Sequence, residues 1–351
     1  MTTQAATGIS WSEILRWDRC RRTWLIEQYF GLLPANERPT SARLQGTRIH
    51  TALEYWYGPD HLDPGRTIDL LYGAVLDHYP DDEKAIRAEH EMSKIIVEGY
   101  PEWVASEGCD NGMIIVDVER EVRVPLPGWE GAVDLRAKMD MVWQDADSGL
   151  LGFLDHKRRS TLKEQHEIRK DGQMRFYSLM QWLAAGHPPP VLGQPAQVVE
   201  GLPLVLGGKV NQLKAVKRGP NSKPPYYMRN DFRHTPEIMA SHLLGVQQAV
   251  HEIMFARNSL DAAGARGGHL DQADWVRVNW IQSSVTKPTW IEHDCTWSCP
   301  YATGLCQLMD EGLGWIDALF TSGRFVQGDP YARYERKSLP EQIAELVGTS
   351  G

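Results

Sequence analysis

Residues 132–159 read "AVDLRAKMDMVWQDADSGLLGFLDHKRR". From Val133 to Trp143 apolar and polar residues alternate, the period-two signature of a strand with one buried face. Asp147-Ser148-Gly149 is a turn signal, and a second apolar run, "LLGFL", follows it. Together they predict a β-hairpin. The second strand then ends abruptly in Asp155-His156-Lys157 and two arginines. Burying charge is costly, so a strand with that ending either emerges into solvent or serves a site. An isolated Asp-x-Lys is most often an ordinary salt-bridged strand end. Asp140 changes the balance, because a carboxylate among the apolar residues of the neighbouring strand needs a partner or a cation. Residues i and i+2 of a strand share a face, so Asp155 and Lys157 project together. In a hairpin, Asp140 can approach them.

Working outward, "MIIVDVEREVRVPL" at 113–126 predicts a strand before this pair. Another is expected around "GLPLVLGGKV" at 201–210. Upstream the pattern is helical. Ser10 is a candidate N-cap for a helix carrying Trp11, Ile14, Leu15, Trp17, Trp24, Leu25 and Ile26, broken near Cys20. "LQGTRIHTALEYWYG" predicts a helix ending near Gly58. Residues 66–107 are expected to be helical with a break at Pro80, as are 161–186 and 236–257. Residues 207–234 read as a basic, proline-rich segment, and residues 326–351 as a loosely held polar tail. The class is therefore mixed α/β. We expect a single domain over 1–325, with a helical part at 1–110, a core at 111–260 and a cysteine-bearing part at 261–325.

Composition narrows the class. Of 351 residues, 42% are hydrophobic and 24% charged, as in a water-soluble globular protein. No apolar run approaches the roughly 20 residues that span a bilayer. "MTTQAATGIS" lacks the basic and apolar regions of a secretory signal, so a cytoplasmic location is expected. A net charge of −9 disfavours a protein coated by nucleic acid but not an enzyme with a local basic channel. Five cysteines, an odd number, argue against a disulfide framework in such a compartment.

Two carboxylates and a lysine at one strand end suit metal-assisted phosphodiester hydrolysis. Oxygen ligands hold Mg²⁺ or Mn²⁺. The metal activates water, and the ammonium supports the developing charge. Gln173 and Tyr177 lie four apart on a predicted helix, hence on one face. His50 and Glu54 share a face of another; a lone histidine there is more often structural, but beside two acids it is a candidate ligand.

The order Gly46-x-x-x-His50, Asp140, Asp155-x-Lys157, Gln173-x-x-x-Tyr177 resembles the RecB-like group of the PD-(D/E)XK nuclease superfamily, over roughly residues 10–180. The resemblance implies a restriction-endonuclease-like mixed sheet flanked by helices. It implies that His50, Asp140, Asp155 and the carbonyl of His156 bind Mg²⁺ or Mn²⁺, that Lys157 is catalytic, and that Gln173 and Tyr177 act near DNA. Ala137 replaces a common glycine and Met139 the proline of the superfamily's name. Asp134, in "GAVD", rivals Asp140 as first acid. The two are six apart and share a strand face, and Asp140 is preferred because it lies nearer Asp155.

"CTWSCPYATGLC" spaces Cys295, Cys299 and Cys306 more loosely than a zinc Cys-x2-Cys pair. Three unconnected cysteines are the plain alternative. Thiolates suit zinc or iron–sulfur alike. With Cys20 in "RWDRCRR", the set is similar to an iron–sulfur subset of the family, the AddB-type and CRISPR-adaptation exonucleases. That resemblance implies a [4Fe-4S] cluster on Cys20, Cys295, Cys299 and Cys306, with Zn²⁺ as the lesser candidate. Pro300 fits the subset, and Arg21 departs from it.

Residues 207–234 carry Lys209, Lys214, Lys217, Arg218, Lys223, Arg229 and Arg233 against one acid, Asp231. A solvated basic loop is one reading; a phosphate-tracking surface with Tyr226 and Tyr227 for base stacking is the other. Arg158, Arg159, Lys163, Arg169 and Lys170 would extend it from the strand end. The expectation is a DNA exonuclease acting on single-stranded ends, in recombination, repair or CRISPR-type adaptation, in the host cytoplasm if phage-encoded. The competing readings are a catalytically weak DNA-binding adaptor of the same fold, an unrelated zinc-stabilised protein, or the nuclease subunit of a helicase complex. No phosphate-loop motif occurs, so a motor would come from a protein partner. A homo-oligomer is also compatible with the sequence.

Overall fold

The computed structural model describes residues 6–35, 39–217, 222–264, 295, 299, 301, 306, 309, 319–329 and 337–346. The chain forms two compact units, each drawn from three stretches of sequence. One takes Met1–Glu37, Pro125–Leu135 and Leu243–Tyr334; the other takes Arg38–Val124, Arg136–His242 and Glu335–Gly351.

The first unit begins with β1 (Thr7–Ser10), α1 (Trp11–Arg19), α2 (Arg21–Trp24), a single π-helical turn (Leu25–Tyr29) and β2 (Leu32–Pro34). Ser10 caps α1 as its sequence predicts: its Oγ accepts from the Glu13 amide at 3.3 Å. Cys20 is extended (φ −156°, ψ 108°) and separates α1 from α2. Trp17, Trp24, Leu25 and Ile26 are all buried.

The second unit opens with four helices: α3 (Ala42–Tyr57), α4 (Pro64–His78), α5 (Glu83–Glu98) and α6 (Tyr100–Glu107). The break expected at Pro80 is a short 3-10 turn, Pro80–Asp82. Three strands follow: β3 (Met113–Pro125), β4 (Val133–Asp145) and β5 (Leu151–Arg159). β4 and β5 are the predicted antiparallel hairpin, with Met141 opposite Leu154 and Trp143 opposite Gly152. Its turn is closed by Asp145, whose Oδ1 accepts from the Ser148 amide and hydroxyl, and Gly149 supplies a φ of +70°.

After β5 come α7 (Gln165–Ile168) and α8 (Gly172–Ala184), then β6 (Val205–Lys214), parallel to β5, and β7 (Tyr227–Phe232), antiparallel to β6. The strand order is β4-β5-β6-β7, with β3 also on β4. β5 is thus flanked on both sides, which accounts for its continuous apolar run. Ile49, Leu53, Ile68, Val97, Met141, Trp143, Leu154 and Leu213 form part of one cluster between α3–α6 and the sheet. The expected mixed α/β architecture, a mixed sheet flanked by helices, is present.

α9 (Pro236–Ala262) passes from this unit into the other, where β8 (Phe325–Gln327) pairs with β2. α10 (Leu339–Leu346) belongs to the second unit. Two readings need correction. The segment 207–234 holds most of β6, whose start falls in the strand expected around 201–210, and all of β7, whose short length and neighbouring prolines masked its alternation. The polar tail contains α10, tied to α3 through Gln342, whose Oε1 accepts from the Thr51 hydroxyl at 2.6 Å and whose Nε2 donates to Glu54 at 3.2 Å.

Candidate active site

The hairpin register places Asp140 and Asp155 opposite one another, one step beyond the Met141–Leu154 pair. The amide of His156 donates to Asp140 Oδ2 at 2.6 Å, so the backbone of β5 fixes that carboxylate. His50 enters from α3, whose first turn is capped by the Ser41 hydroxyl. Burial of Ile49, Ala52 and Leu53 sets the helix's rotation, and His50 Nδ1 lies 3.2 Å from Asp140 Oδ2.

Sequence reasoning missed Glu119. It sits in β3 with a φ of 51°, unusual for a non-glycine residue, and ion-pairs with Lys138 at 2.6 Å. His50, Glu119 and Asp140 bring their ligand atoms within 4.8 Å of one another, the one such group of three among the described residues. Nothing local marked Glu119 in "DVEREV", where it alternates like a solvent-facing residue.

Asp155 is only 1% exposed. Lys157 approaches its two oxygens at 3.0 and 2.9 Å, yet Oδ2 accepts no well-formed hydrogen bond. Lys157 also donates to Gln173 Oε1 at 3.0 Å. Gln173 Nε2 donates to the Tyr177 hydroxyl at 2.7 Å, and that hydroxyl donates to the Lys138 carbonyl at 2.7 Å. Asp171 caps α8 by accepting from the Gln173 amide at 3.0 Å. The i, i+4 pair of α8 is therefore a brace reaching from β4 to Lys157.

Charge is balanced unevenly here. Burial pushes Asp155 up, Asp140 adds to this, and Lys157 offsets it in part, leaving its pKa at about 6. Burial also raises Asp140, but His50, His156 and Lys157 outweigh it and hold that carboxyl well below its usual range. Burial works against the His50 cation, and Asp140 more than reverses that, to about 9. Burial and Asp140 push Glu119 up to about 7. Burial lowers His156 to about 3, keeping it neutral; its ring stacks on Tyr57 at 5.8 Å. The site thus holds three acids around one edge and a buried acceptor without a donor. This donor set, carboxylate oxygens and one imidazole, fits a divalent cation.

A family model described as the PD-(D/E)XK nuclease superfamily matches residues 8–258. The chain belongs to the PD-(D/E)XK nuclease superfamily. No curated protein matches the sequence. Nucleases of this superfamily use divalent metals, and the His50–Glu119–Asp140 group is where this nuclease could hold one.

The other predicted residues are dispersed. Arg159 lies 3.9 Å from Asp171, and the Arg158 Nε is buried without a partner. Lys214, half-buried, reaches the Lys223 carbonyl at 3.4 Å, and the well-exposed Lys217 lies 3.7 Å from Glu91. Arg218 falls outside the described residues. Tyr226 bonds Ser222. Tyr227 must be corrected: it is 8% exposed, packs on Trp103 and Tyr100, and donates to the Ile96 carbonyl at 2.8 Å. It is a core residue and offers no face for stacking. Of the cysteines, Cys20, Cys295, Cys299 and Cys306 are all half-buried, and none of them is in a disulfide. Burial raises the Cys306 thiol, and Cys299 and Cys20 act on it electrostatically in the same direction. No helix among the described residues is long and apolar enough to cross a membrane.

Proposed function

We propose that this nuclease is a Mg²⁺- or Mn²⁺-dependent DNA exonuclease acting on single-stranded ends. The observation that carries the reading is the convergence of Asp140, Asp155 and Lys157 at one edge of the hairpin, with His50 and Glu119 beside Asp140. His50, Asp140, Asp155 and the His156 carbonyl would hold the cation, and Glu119 is a further candidate. A bound cation supplies an activated water and neutralises charge on the phosphate. The chain's own part is positional. Lys157, held by Asp155 and Gln173, directs its ammonium toward charge that develops on the phosphate. Gln173 and Tyr177 fix that ammonium, and Asp140 is fixed by the His156 amide. DNA approaches across Arg158, Arg159, Lys214 and Lys217, with Tyr226 at its margin. The intact acid–acid–lysine set favours an enzyme over an adaptor of the same fold.

In the other unit, Cys20, Cys295, Cys299 and Cys306 are proposed to carry a [4Fe-4S] cluster rather than zinc. Cys20 and Cys299 lie near enough to Cys306 to act on its thiol, which is compatible with a shared set of ligands. Iron content and a brown absorption near the visible edge would be expected, and Cys299→Ala should lose both; a colourless protein holding zinc refutes the cluster. The activity is tested with end-labelled single-stranded DNA and Mg²⁺ or Mn²⁺, comparing wild type with Lys157→Ala. Stepwise loss of label by the wild type alone supports the reading. Internal cuts first would make it an endonuclease, and no cutting by either protein would overturn it.

A further inference from the structure

A pocket at the start of β6 and the end of β7 plays no part in the chemistry above. Its lining includes Arg169, Gly207, Gly208, Lys209, Asp231 and Arg233. Two backbone features build it. β6 carries an extra residue, since Leu151 pairs with Val205 but Gly152 pairs with Gly207. Such a bulge bends a strand and re-aims its side chains. Gly207 has a φ of +136°, and a Cβ there would sit 2.2 Å from the Phe232 carbonyl oxygen and 3.0 Å from Arg233 Cγ. Glycine alone lets the two backbones approach so closely.

The charges in this pocket are unequally answered. Lys209 is paired with Asp231 at 2.9 Å and lies over the Trp143 ring at 5.1 Å. The guanidiniums of Arg169 and Arg233 have no hydrogen-bond or ion-pair partner among the described residues. Their bases are nevertheless held. The Arg169 carbonyl accepts from His234 Nε2 at 3.0 Å, and Gln165 ties α7 to the Asp231 carbonyl at 2.6 Å. Arg169 and Arg233 line the same pocket as the bare glycine backbone, and two unpaired guanidiniums in one pocket suit a tetrahedral oxyanion. Gly152 stands three residues along β5 from Asp155, about 10 Å at ~3.3 Å per residue. A DNA strand covers that in about three nucleotides at ~3.4 Å each.

We propose that this pocket binds a phosphate group of the DNA strand between Arg169 and Arg233, as an anchor separate from the carboxylate centre. The identity of the strand rests on the nuclease reading. The phosphate is either an internal phosphodiester or a terminal phosphomonoester. The test is fluorescence anisotropy in EDTA, so that nothing is cut, with labelled 12-mers bearing a 5′-phosphate, a 3′-phosphate or hydroxyls at both ends. Wild type is compared with Arg169→Gln/Arg233→Gln, whose sites are exposed and whose fold is checked by melting.

The variant should bind about tenfold or more weakly, with a salt slope lower by about 1 to 2. Equal loss on all three strands identifies an internal phosphate; loss confined to one phosphorylated end identifies a terminal one and predicts polarity. Unchanged affinity and slope overturn the pocket and leave the nuclease reading standing. If the wild type binds none of the three strands, the pocket is overturned as well, and the cleavage assay with metal alone judges the nuclease reading.

Discussion

Glu13 and Asp155 are both buried carboxylates, one in each unit, at 0% and 1% exposure. Glu13 accepts from Trp24 Nε1 at 2.9 Å and from the Arg257 guanidinium at 2.6 Å, and neither of its oxygens is orphaned. Asp155 has a lysine at both oxygens, a second carboxylate pressing on it, and one oxygen with no hydrogen bond. The first arrangement is closed at the carboxylate: Arg257 answers its charge and neither oxygen is left over. The second is open, and the surrounding structure maintains it against its own cost. Burial depth alone does not separate a structural acid from a functional one; an open oxygen together with a second acid and a lysine converging on it does.

The largest test of that contrast is activity. Asp155→Asn is expected to reduce metal-supported DNA hydrolysis at least about 10³-fold, and Lys157→Ala about 10²- to 10³-fold, the scale for losing a preorganised charge partner. Rates on labelled DNA check both. Glu13→Ala should act instead on the fold, costing about 3–5 kcal/mol in urea denaturation because it strands Arg257 in the interior. A loss below about 1 kcal/mol would break the comparison from the structural side.

The same contrast explains what was legible in the sequence. The hairpin of β4 and β5 was readable because alternation, a turn and a second apolar run agree, and Asp140 stood out against that pattern. The pairing of Lys157 with Asp155 followed from strand periodicity, and Gln173 with Tyr177 from helical spacing. Glu119 was not readable, because its closeness to Asp140 depends on β3 pairing with β4 and on a positive φ within the strand. Tyr227 was misread because a basic, proline-rich neighbourhood resembles a loop, while the residue itself sits against α5 and α6. Arg169 and Arg233 are 64 residues apart in sequence, and contacts between the ends of α7 and β7, with the His234 bond to the Arg169 carbonyl, unite them.

A smaller test concerns stability without metal. The folded pKa of Asp155, about 6, lies above its unfolded value of 3.8. The native state therefore holds a proton that the unfolded chain has released between those values. As pH rises from about 4 to about 6 the wild type loses stability, and above 6 the penalty is complete. Asp155→Asn lacks this penalty. In EDTA the variant should gain on the wild type across that window by up to about 3 kcal/mol, and the gap should stay constant above it. Mn²⁺ should close most of that gap, since a cation present at 100 times its Kd adds about 2.7 kcal/mol to the wild type alone. Melting curves at pH 4, 5, 6 and 7.5, with and without metal, decide this. A gap that narrows with rising pH would mean that Asp155 is already satisfied, like Glu13.

The smallest expected effect lies in the brace. The Tyr177 hydroxyl is both acceptor for Gln173 and donor to the Lys138 carbonyl, so it connects β4 to the group that orients Lys157. Tyr177→Phe removes two hydrogen bonds while keeping the ring, which packs edge-on against Phe153 at 5.6 Å. Each such bond is worth about 1 kcal/mol net. The loss in turnover should be about tenfold, with the melting temperature lowered by only a few degrees. Gln173→Ala frees Lys157 directly and should cost as much or more, and the double variant little beyond it, because both residues act through one ammonium. Additive losses in that cycle would show that Tyr177 acts on the reaction by a separate route, and the brace would then be two contacts rather than one.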